Sequence, residues 1–333
     1  MYIIQSYSVA VIFCVITMLC WGSWANTQKM ASREWRFPLF YWDYSLGLIL
    51  TAIIFGLTFG SIGSSGRSFI PDLLQADLSN LGLSFLGGVI FNAANLLVVV
   101  AIDIAGMAVA FPLAIGLALV IGVLVNYIAT PLGDPVLIFT GLALLVLAIV
   151  LDALAYRRLP GTRGKIGMGL AISLIAGVVM GFFYRFVAAS MVSDYMSPEP
   201  GKLTSYSAML IFTIGIFISN FLFNTYFMYR PVTGDPVRFR DYFRKGSPGL
   251  HLVGILGGLI WCTGMEFNLI AAEKAGYAIS YGLGQGATMV AAAWGVFIWK
   301  EFRDAPRGTN RLLGSMFFFF ITGLALIIIA RLN

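Results

Sequence analysis

The stretch that decides the fold is residues 86–91, LGGVIF, which occurs again as LGGLIW at residues 256–261. The two copies stay in register without a gap as far as Gly116, which falls on Gly286. Shared leucine and alanine carry little weight in so apolar a chain. Four glycines in register carry more, and they indicate that the chain consists of two related halves.

Composition places the chain in a membrane. Its 333 residues are 59% hydrophobic and 11% charged, whereas soluble domains carry about 25% charged residues. Apolar runs recur from end to end, which predicts an all-α polytopic membrane protein without a sizeable soluble domain. Basic loops explain the net charge of +6 better than a nucleic-acid partner does. Three cysteines, all inside apolar runs, indicate neither a disulfide nor a metal site, and no cofactor is expected.

Ten apolar runs are long enough to cross a bilayer, since a span needs about 20 apolar residues. They cover residues 7–25, 40–61, 81–102, 106–129, 135–156, 166–190, 205–229, 250–271, 276–299 and 311–331. Sixteen Lys and Arg residues fall on one side of these spans and four on the other. The positive-inside rule makes the rich side cytoplasmic. We therefore expect a protein of the cell membrane, plasma or inner, with both termini extracytoplasmic and no cleaved signal peptide.

Five spans per half is an odd number, so the second half enters the bilayer from the opposite side. The prediction is a first repeat over 1–156, a short basic cytoplasmic linker over 157–165 and a second repeat over 166–333. Inverted repeats are common in secondary transporters, where the halves exchange conformations around a central site. Duplication without a transport role is the alternative. Spans 5 and 10, almost purely apolar, are expected to face lipid or each other across a homodimer.

Two motifs resemble known transporters. Asp43-Tyr44 followed by LTFGSIG at 57–63 resembles the plant ureide permeases, and WGVFIWKEF at 294–302 resembles the glucose/ribose porters. Both belong to the drug/metabolite transporter superfamily. The resemblance implies ten helices in two inverted halves, with a central site for a ureide, a nucleobase or a monosaccharide. The plant proteins carry a long central loop, which is short here, so nothing attributed to that loop is transferred.

Aromatic and amide side chains in spans 1 and 3 are candidates for binding a solute. Trp21 and Trp24 lie three residues apart and share a helix face, with Asn26 close behind. They predict either a cavity wall that stacks on a flat solute or an interfacial aromatic belt. Asn92 and Asn95 interrupt an apolar run, so they must face protein or a wet cavity. Hydrogen bonding between helices is the alternative for this pair.

Span 9 offers a second candidate face. Tyr277, Tyr281 and Gln285 follow one another at intervals of four residues and so share one side of a helix. The Gly-x-Gly-x-Gly run at 282–286 is not a nucleotide-binding loop, because no strand precedes it. We expect this face and Tyr184 of span 6 to line the substrate cavity.

Arg185 and Glu266 are the two clear charges inside predicted spans. Both lie in the last third of a span that runs from inside to outside, so an ion pair at similar depth is expected. An ionisable residue within the membrane is a functional candidate. The hypothesis is that Glu266 carries the proton that couples transport and that Arg185 tunes it. A fixed structural pair is the alternative.

These features favour a secondary transporter, proton-coupled and working by alternating access, for a small neutral polar solute. Aromatic faces with amides suit a sugar or a ureide or nucleobase, and a single intramembrane arginine does not suit an anion. Efflux of lipophilic cations through Glu266 is the alternative. An enzyme is not expected, because no nucleophile with its base, paired carboxylates or metal set lies at a plausible depth. The expected partners are the solute, protons, the bilayer and a possible second copy.

Overall fold

The computed structural model describes residues 1–31, 34–105, 107–159, 166–232 and 234–332. Most of the predicted basic linker lies outside these residues. The described chain is helical and contains no strand, apart from one isolated bridge between two loop residues. Its elements are α1 (Tyr7–Ser23), α2 (Ala25–Ala31), α3 (Phe37–Leu57), α4 (Phe69–Gln75), α5 (Leu78–Ala105), α6 (Met107–Ala129), α7 (Pro135–Tyr156), α8 (Ile166–Ser190), α9 (Ser205–Asn220), α10 (Phe223–Tyr229), α11 (Phe239–Lys245), α12 (Pro248–Ala275), α13 (Tyr277–Gly284), α14 (Ala287–Ala293), a π-helical turn (Trp294–Ile298) and α15 (Thr309–Ile329).

Nine stretches of the described residues are long and apolar enough to cross a bilayer. They are Tyr7–Ala31, Phe37–Leu57, Leu78–Ala105, Pro112–Ala129, Pro135–Tyr156, Gly167–Ser190, Ser205–Tyr229, Pro248–Ala275 and Thr309–Ile329. The predicted class, an all-α multi-pass membrane protein, is confirmed.

The predicted span 276–299 is divided into shorter pieces. It consists of α13, α14 and the π-helical turn, with Gln285 and Gly286 between the first two. Three glycines in five residues weaken a helix at this point. Since none of the pieces is long enough to cross alone, the count of ten spans stays a prediction.

Two spans begin at a capping residue followed by proline. Asp134 precedes Pro135 at the start of α7, and its side chain accepts a hydrogen bond from the backbone N–H of Leu137 at 3.0 Å. Ser247 precedes Pro248 at the start of α12 and accepts from Leu250 in the same way. An oxygen-bearing cap followed by proline satisfies the free N–H groups of a first turn.

The repeated glycines lie where helices cross most closely. A Cβ on Gly88 of α5 would lie 2.1 Å from the carbonyl oxygen of Phe212 on α9, and Gly215 of α9 faces Gly88 in turn. A Cβ on Gly258 of α12 would lie 2.1 Å from the carbonyl oxygen of Tyr44 on α3. Backbones can touch in this way only where no side chain intervenes. The two copies of the repeat therefore make the same kind of crossing.

A second repeated segment, TGLAL at residues 140–144 and again at 322–326, lies where α7 packs on α15. A Cβ on Gly141 would lie 2.7 Å from the carbonyl oxygen of Gly323, and the reverse distance is 2.8 Å. The two helices that correspond to spans 5 and 10 thus pack on each other within one chain. This contact within one chain was not predicted, and glycine on both helices allows them to close directly. The expectation that the two helices face lipid or meet across a homodimer stays a prediction.

Candidate functional site

An aromatic cluster lies at the centre of the bundle, and equivalent positions of the repeat form its middle. Phe91 and Trp261, which end the two LGG copies, lie with ring centroids 4.6 Å apart. Trp21 stacks on Trp261 at 5.7 Å and 14°. The ring of Phe212 on α9 lies 6.3 Å from that of Trp261 and nearly parallel to it, at 12°. Helices from both halves therefore meet at these rings.

The two predicted tryptophans, Trp21 in α1 and Trp24 just after it, pack on aromatic rings of other helices. Trp21 is held between α12 and α13, since Cβ atoms on Gly264 and Gly284 would lie 2.9 and 2.8 Å from its indole carbons. Its Nε1 is buried without a hydrogen-bond partner among the described residues. Trp24 lies 4.9 Å from the ring of Tyr44 on α3. These positions lie inside the bundle, and stacking on a solute stays a prediction.

The predicted tyrosines of spans 6 and 9 come together beside this cluster. Tyr184 donates to the Oδ1 of Asn268 at 2.6 Å and shares a 3.0 Å hydrogen bond with the Ser280 hydroxyl. Asn268 donates to the carbonyl of Ser280 at 2.8 Å. The rings of Tyr281 and Tyr277 lie 5.1 and 6.3 Å from Tyr184. The result is a fully buried polar network that joins α8, α12 and α13.

Two members of that network, Asn268 and Ser280, are not among the site residues predicted from the sequence. The amide of Asn268 inside an apolar helix was the signal that could have identified it. Gln285 lies half-buried at the end of α13, where the helix breaks.

The two asparagines of α5 serve different neighbours. Asn92 is fully buried and donates to the Ser219 hydroxyl at 2.8 Å and to the carbonyl of Ile216 at 3.2 Å. It therefore joins α5 to α9. Asn95 is half-buried and donates to the hydroxyl of Tyr41 on α3 at 3.0 Å. Binding of a solute by either residue stays a prediction.

The predicted ion pair between Arg185 and Glu266 was wrong. No bond joins them in the described chain, and both Glu266 oxygens are buried without a hydrogen-bond partner among the described residues. Asn268 faces α8 through Tyr184. Residues two apart on a helix point about 200° apart, so Glu266 points away from α8. Two residues at similar depth form an ion pair only if their helices also turn them toward each other, and here they do not.

Two cavities lie at the end of the bundle that carries Lys29 and Arg36. The larger is about 380 Å³ and the smaller about 270 Å³, and Gln28 lines both. The larger is bounded by parts of both halves, including Asn26, Gln28, Lys29, Tyr156, Trp299 and Glu301. Of the predicted site residues, Asn26 is the one that reaches this cavity among the described lining residues.

A charged and aromatic group frames the larger cavity. Lys29 pairs with Glu301 at 2.5 Å and lies 4.3 Å from the centre of the Trp299 ring. Tyr156 donates to Glu301 at 3.1 Å. The Trp299 Nε1 donates to the Oδ1 of Asn26 at 2.6 Å. The cavity thus offers an indole face, a phenol and amide groups, which can stack on a flat solute and hydrogen-bond its edge.

A buried carboxylate ties loops together at the cavity end. Asp43 accepts hydrogen bonds from the Nε1 of Trp35, the hydroxyl of Tyr242 and, at 2.8 Å, the Nδ1 of His251. Burial and the neighbouring Asp43 raise the pKa of the Tyr242 hydroxyl. Neither Asp43 nor His251 is among the site residues predicted from the sequence. The bond from Tyr242 depends on α11, a helix that the sequence analysis did not predict.

A second buried carboxylate ties loops together at the opposite end. Asp72 accepts from the Nε of Arg67 at 2.7 Å and from the N–H and hydroxyl of Thr204 at 2.8 and 2.9 Å. Arg67 also donates to the carbonyl of Lys202 at 2.6 Å. These bonds connect the α3–α5 loop of one half to the α8–α9 loop of the other. The bundle is therefore tied shut at this end.

Comparison with known proteins agrees with this architecture. The sequence profile of the family described as ureide permease matches residues 40–159 and 155–330. The chain belongs to the ureide permease family. Ureide permease 2 and ureide permease 1 of Arabidopsis thaliana are 25% and 24% identical to it, with 98% of this chain and 98% of each relative covered. A solved crystal structure superimposes with a TM-score of 0.57 at 17% identity, covering 98% of this chain and 99% of its own.

Membership of the ureide permease family confirms the resemblance at 43–63. It makes the chain a membrane permease for a small solute rather than an enzyme. The profile match in two consecutive segments spans both predicted halves. The solved structure, at its low identity, shows the fold alone.

Proposed function

We propose that this permease carries ureides or closely related heterocycles across the cell membrane by alternating access. The observation that carries the proposal is the match of the ureide permease profile to both halves of the chain. The chemistry of the larger cavity supports it. Allantoin is a small neutral ureide whose flat ring is edged with amide donors and acceptors, which suits the indole of Trp299 and the amides of Asn26 and Gln28.

The arrangement of the two ends supports an inward-facing state. The cavities lie at the end that the positive-inside rule assigns to the cytoplasm, with Lys29 and Arg36 on their walls. The opposite end is tied by Arg67, Asp72 and Thr204. In this proposal both termini face outward, and opening to the outside requires the Arg67–Asp72 bonds to separate.

Alternating access needs two halves that can exchange roles, and the glycine crossings support an inverted repeat. At Gly88, α5 crosses α9 of the second half, and at Gly258, α12 crosses α3 of the first half. At each crossing an added Cβ would lie 2.1 Å from a backbone carbonyl oxygen of the other helix. Phe91 and Trp261 meet at the centre. Each half thus places its repeated helix against the other half in a matching way.

Proton coupling through Glu266 is the finer part of the proposal. The carboxyl group is fully buried without a partner among the described residues, and an ionised carboxylate there is expensive. Binding and release of a proton at Glu266 would accompany the opening of one end. The test is uptake driven by a pH gradient, which Glu266→Gln should abolish while solute exchange without a gradient persists.

A thermal-shift screen of the purified protein tests the substrate class. A ligand at about 100 times its dissociation constant stabilises by about 2.7 kcal/mol. We expect allantoin or a nucleobase to raise the melting temperature and glucose and tetraphenylphosphonium not to. A shift with glucose alone would favour the monosaccharide reading carried by the porter resemblance at 294–302. A shift with the cation alone would restore efflux, which the family and its relatives do not support.

A further inference from the structure

A crevice between α6, α7 and α8 adjoins the larger solute cavity, with which it shares Pro112. Its volume is about 460 Å³, and its described walls are apolar side chains with one charged exception, Arg157. Leu113, Gly116 and Val120 come from α6, and Val146 and Ile149 come from α7. Arg157 lies at the end of α7, where it caps the helix.

The length of the crevice matches one leaflet of a bilayer. Along α7 the lining runs from Val146 to Arg157, and eleven helical steps of about 1.5 Å cover about 16 Å. Half of a hydrocarbon core is about 15 Å thick. Arg157 ends the apolar helix, so it lies at the depth of the headgroups when the apolar walls lie in hydrocarbon.

The charge at the crevice end is available for an anion. Arg157 is exposed and has no acidic partner among the described residues. The nearby carboxylate of Glu301 is already held by Lys29 and Tyr156. The neighbouring Arg158 is directed elsewhere, toward Gly308 before α15.

We propose that this crevice, called the α6–α7 crevice, binds one anionic phospholipid of the cytoplasmic leaflet. An acyl chain lies along Val146, Ile149 and Gly116, and Arg157 binds the phosphate. A chain that is long, apolar and anionic at one end fits the crevice along its whole length. A small polar ureide would leave the apolar walls uncovered. The site adjoins the larger solute cavity through Pro112, which lines both.

Two substitutions test the two ends of the lipid separately, each with a matched control. Arg157→Gln removes the phosphate contact, and Arg158→Gln removes the same charge one residue away. Gly116→Leu fills the crevice, because among the described residues a Cβ there meets only Ile149 at 3.6 Å. Gly314→Leu places the same side chain on α15, where no atom of the described residues lies within 4 Å. All four are full-length proteins, and monodispersity on size exclusion confirms that each is folded.

The measurement is native mass spectrometry of each detergent-purified protein after incubation with dioleoylphosphatidylglycerol or dioleoylphosphatidylcholine. We expect the unchanged protein to retain the anionic lipid preferentially. Arg157→Gln should reduce that retention about five-fold, the effect of one basic side chain near a headgroup, and Gly116→Leu should reduce retention of both lipids. Each control should retain both lipids like the unchanged protein.

Three results would overturn the proposal. Equal losses from Arg157→Gln and Arg158→Gln would reduce the effect to general surface charge. Equal retention by Gly116→Leu and Gly314→Leu would show that no chain occupies the crevice. A dimer peak that only Gly116→Leu abolishes, without any change in lipid retention, would assign the crevice to a second copy of the chain.

Discussion

Alanine at Gly258 should force helices α3 and α12 apart. The added Cβ would lie 2.1 Å from the carbonyl oxygen of Tyr44, about 1.3 Å inside the 3.4 Å at which ordinary contacts begin. The atom it meets belongs to the backbone, so no side-chain rotation relieves the contact. Overpacking of this kind costs about 1–3 kcal/mol, and only about 0.5–1 kcal/mol returns from replacing glycine by alanine within a helix.

Thermal unfolding in detergent measures this cost. Because the overlap is with a backbone atom, the upper end of that cost, about 3 kcal/mol, applies, and the net loss is about 2–2.5 kcal/mol. This lowers the melting temperature by roughly 4–10 °C at about 2–4 °C per kcal/mol. Gly88→Ala should behave alike, because its Cβ would also lie 2.1 Å from a carbonyl oxygen, that of Phe212. Gly116→Ala is the control, since its Cβ meets its nearest atom at 3.6 Å. A Gly258→Ala melting temperature equal to that of the control would refute the close crossing.

Three further changes probe the network, the cavity and the closed end. Tyr184→Phe should destabilise the protein by about 1–3 kcal/mol, because it leaves the Asn268 oxygen buried without its donor. Thermal unfolding measures this loss, and an unchanged melting temperature would contradict the network. Asn26→Ala should weaken ureide binding several-fold in titration calorimetry with little effect on stability, because it lines the cavity; unaltered affinity would remove it from the site. Arg67→Gln should speed hydrogen–deuterium exchange across residues 191–204, where Arg67 binds backbone carbonyls; unchanged exchange would argue against a tie at that end.

The membrane class could be predicted from the sequence because it depends on local pattern, whereas the inverted repeat stays a prediction. Runs of apolar residues fix where a helix can span, and shared glycines fix where two helices can touch. The match of 86–91 with 256–261 therefore identified the helices that cross at Gly88 and Gly258. It also placed Phe91 and Trp261 at equivalent positions, and these rings meet at the centre of the fold.

What sequence could not give was the rotation of each helix. Glu266 and Arg185 lie at similar depth by residue count, yet Asn268 takes the face of α12 that meets α8. Asp43 of α3 and His251 of α12 lie 208 residues apart, and the packing of α3 on α12, where Gly254 faces Asp43, brings them together. A break at Gln285 depends likewise on packing, since a glycine-rich run is compatible with a continuous helix or an interrupted one.

Uptake of radiolabelled allantoin into proteoliposomes that contain only this protein tests the central claim most directly. We expect uptake above that of protein-free liposomes, competed by unlabelled allantoin or a nucleobase and not by glucose. We also expect faster uptake when a pH gradient is imposed, and loss of that acceleration in Glu266→Gln. Liposomes that take up glucose but not allantoin or nucleobases, with protein that is folded and correctly inserted, would contradict it.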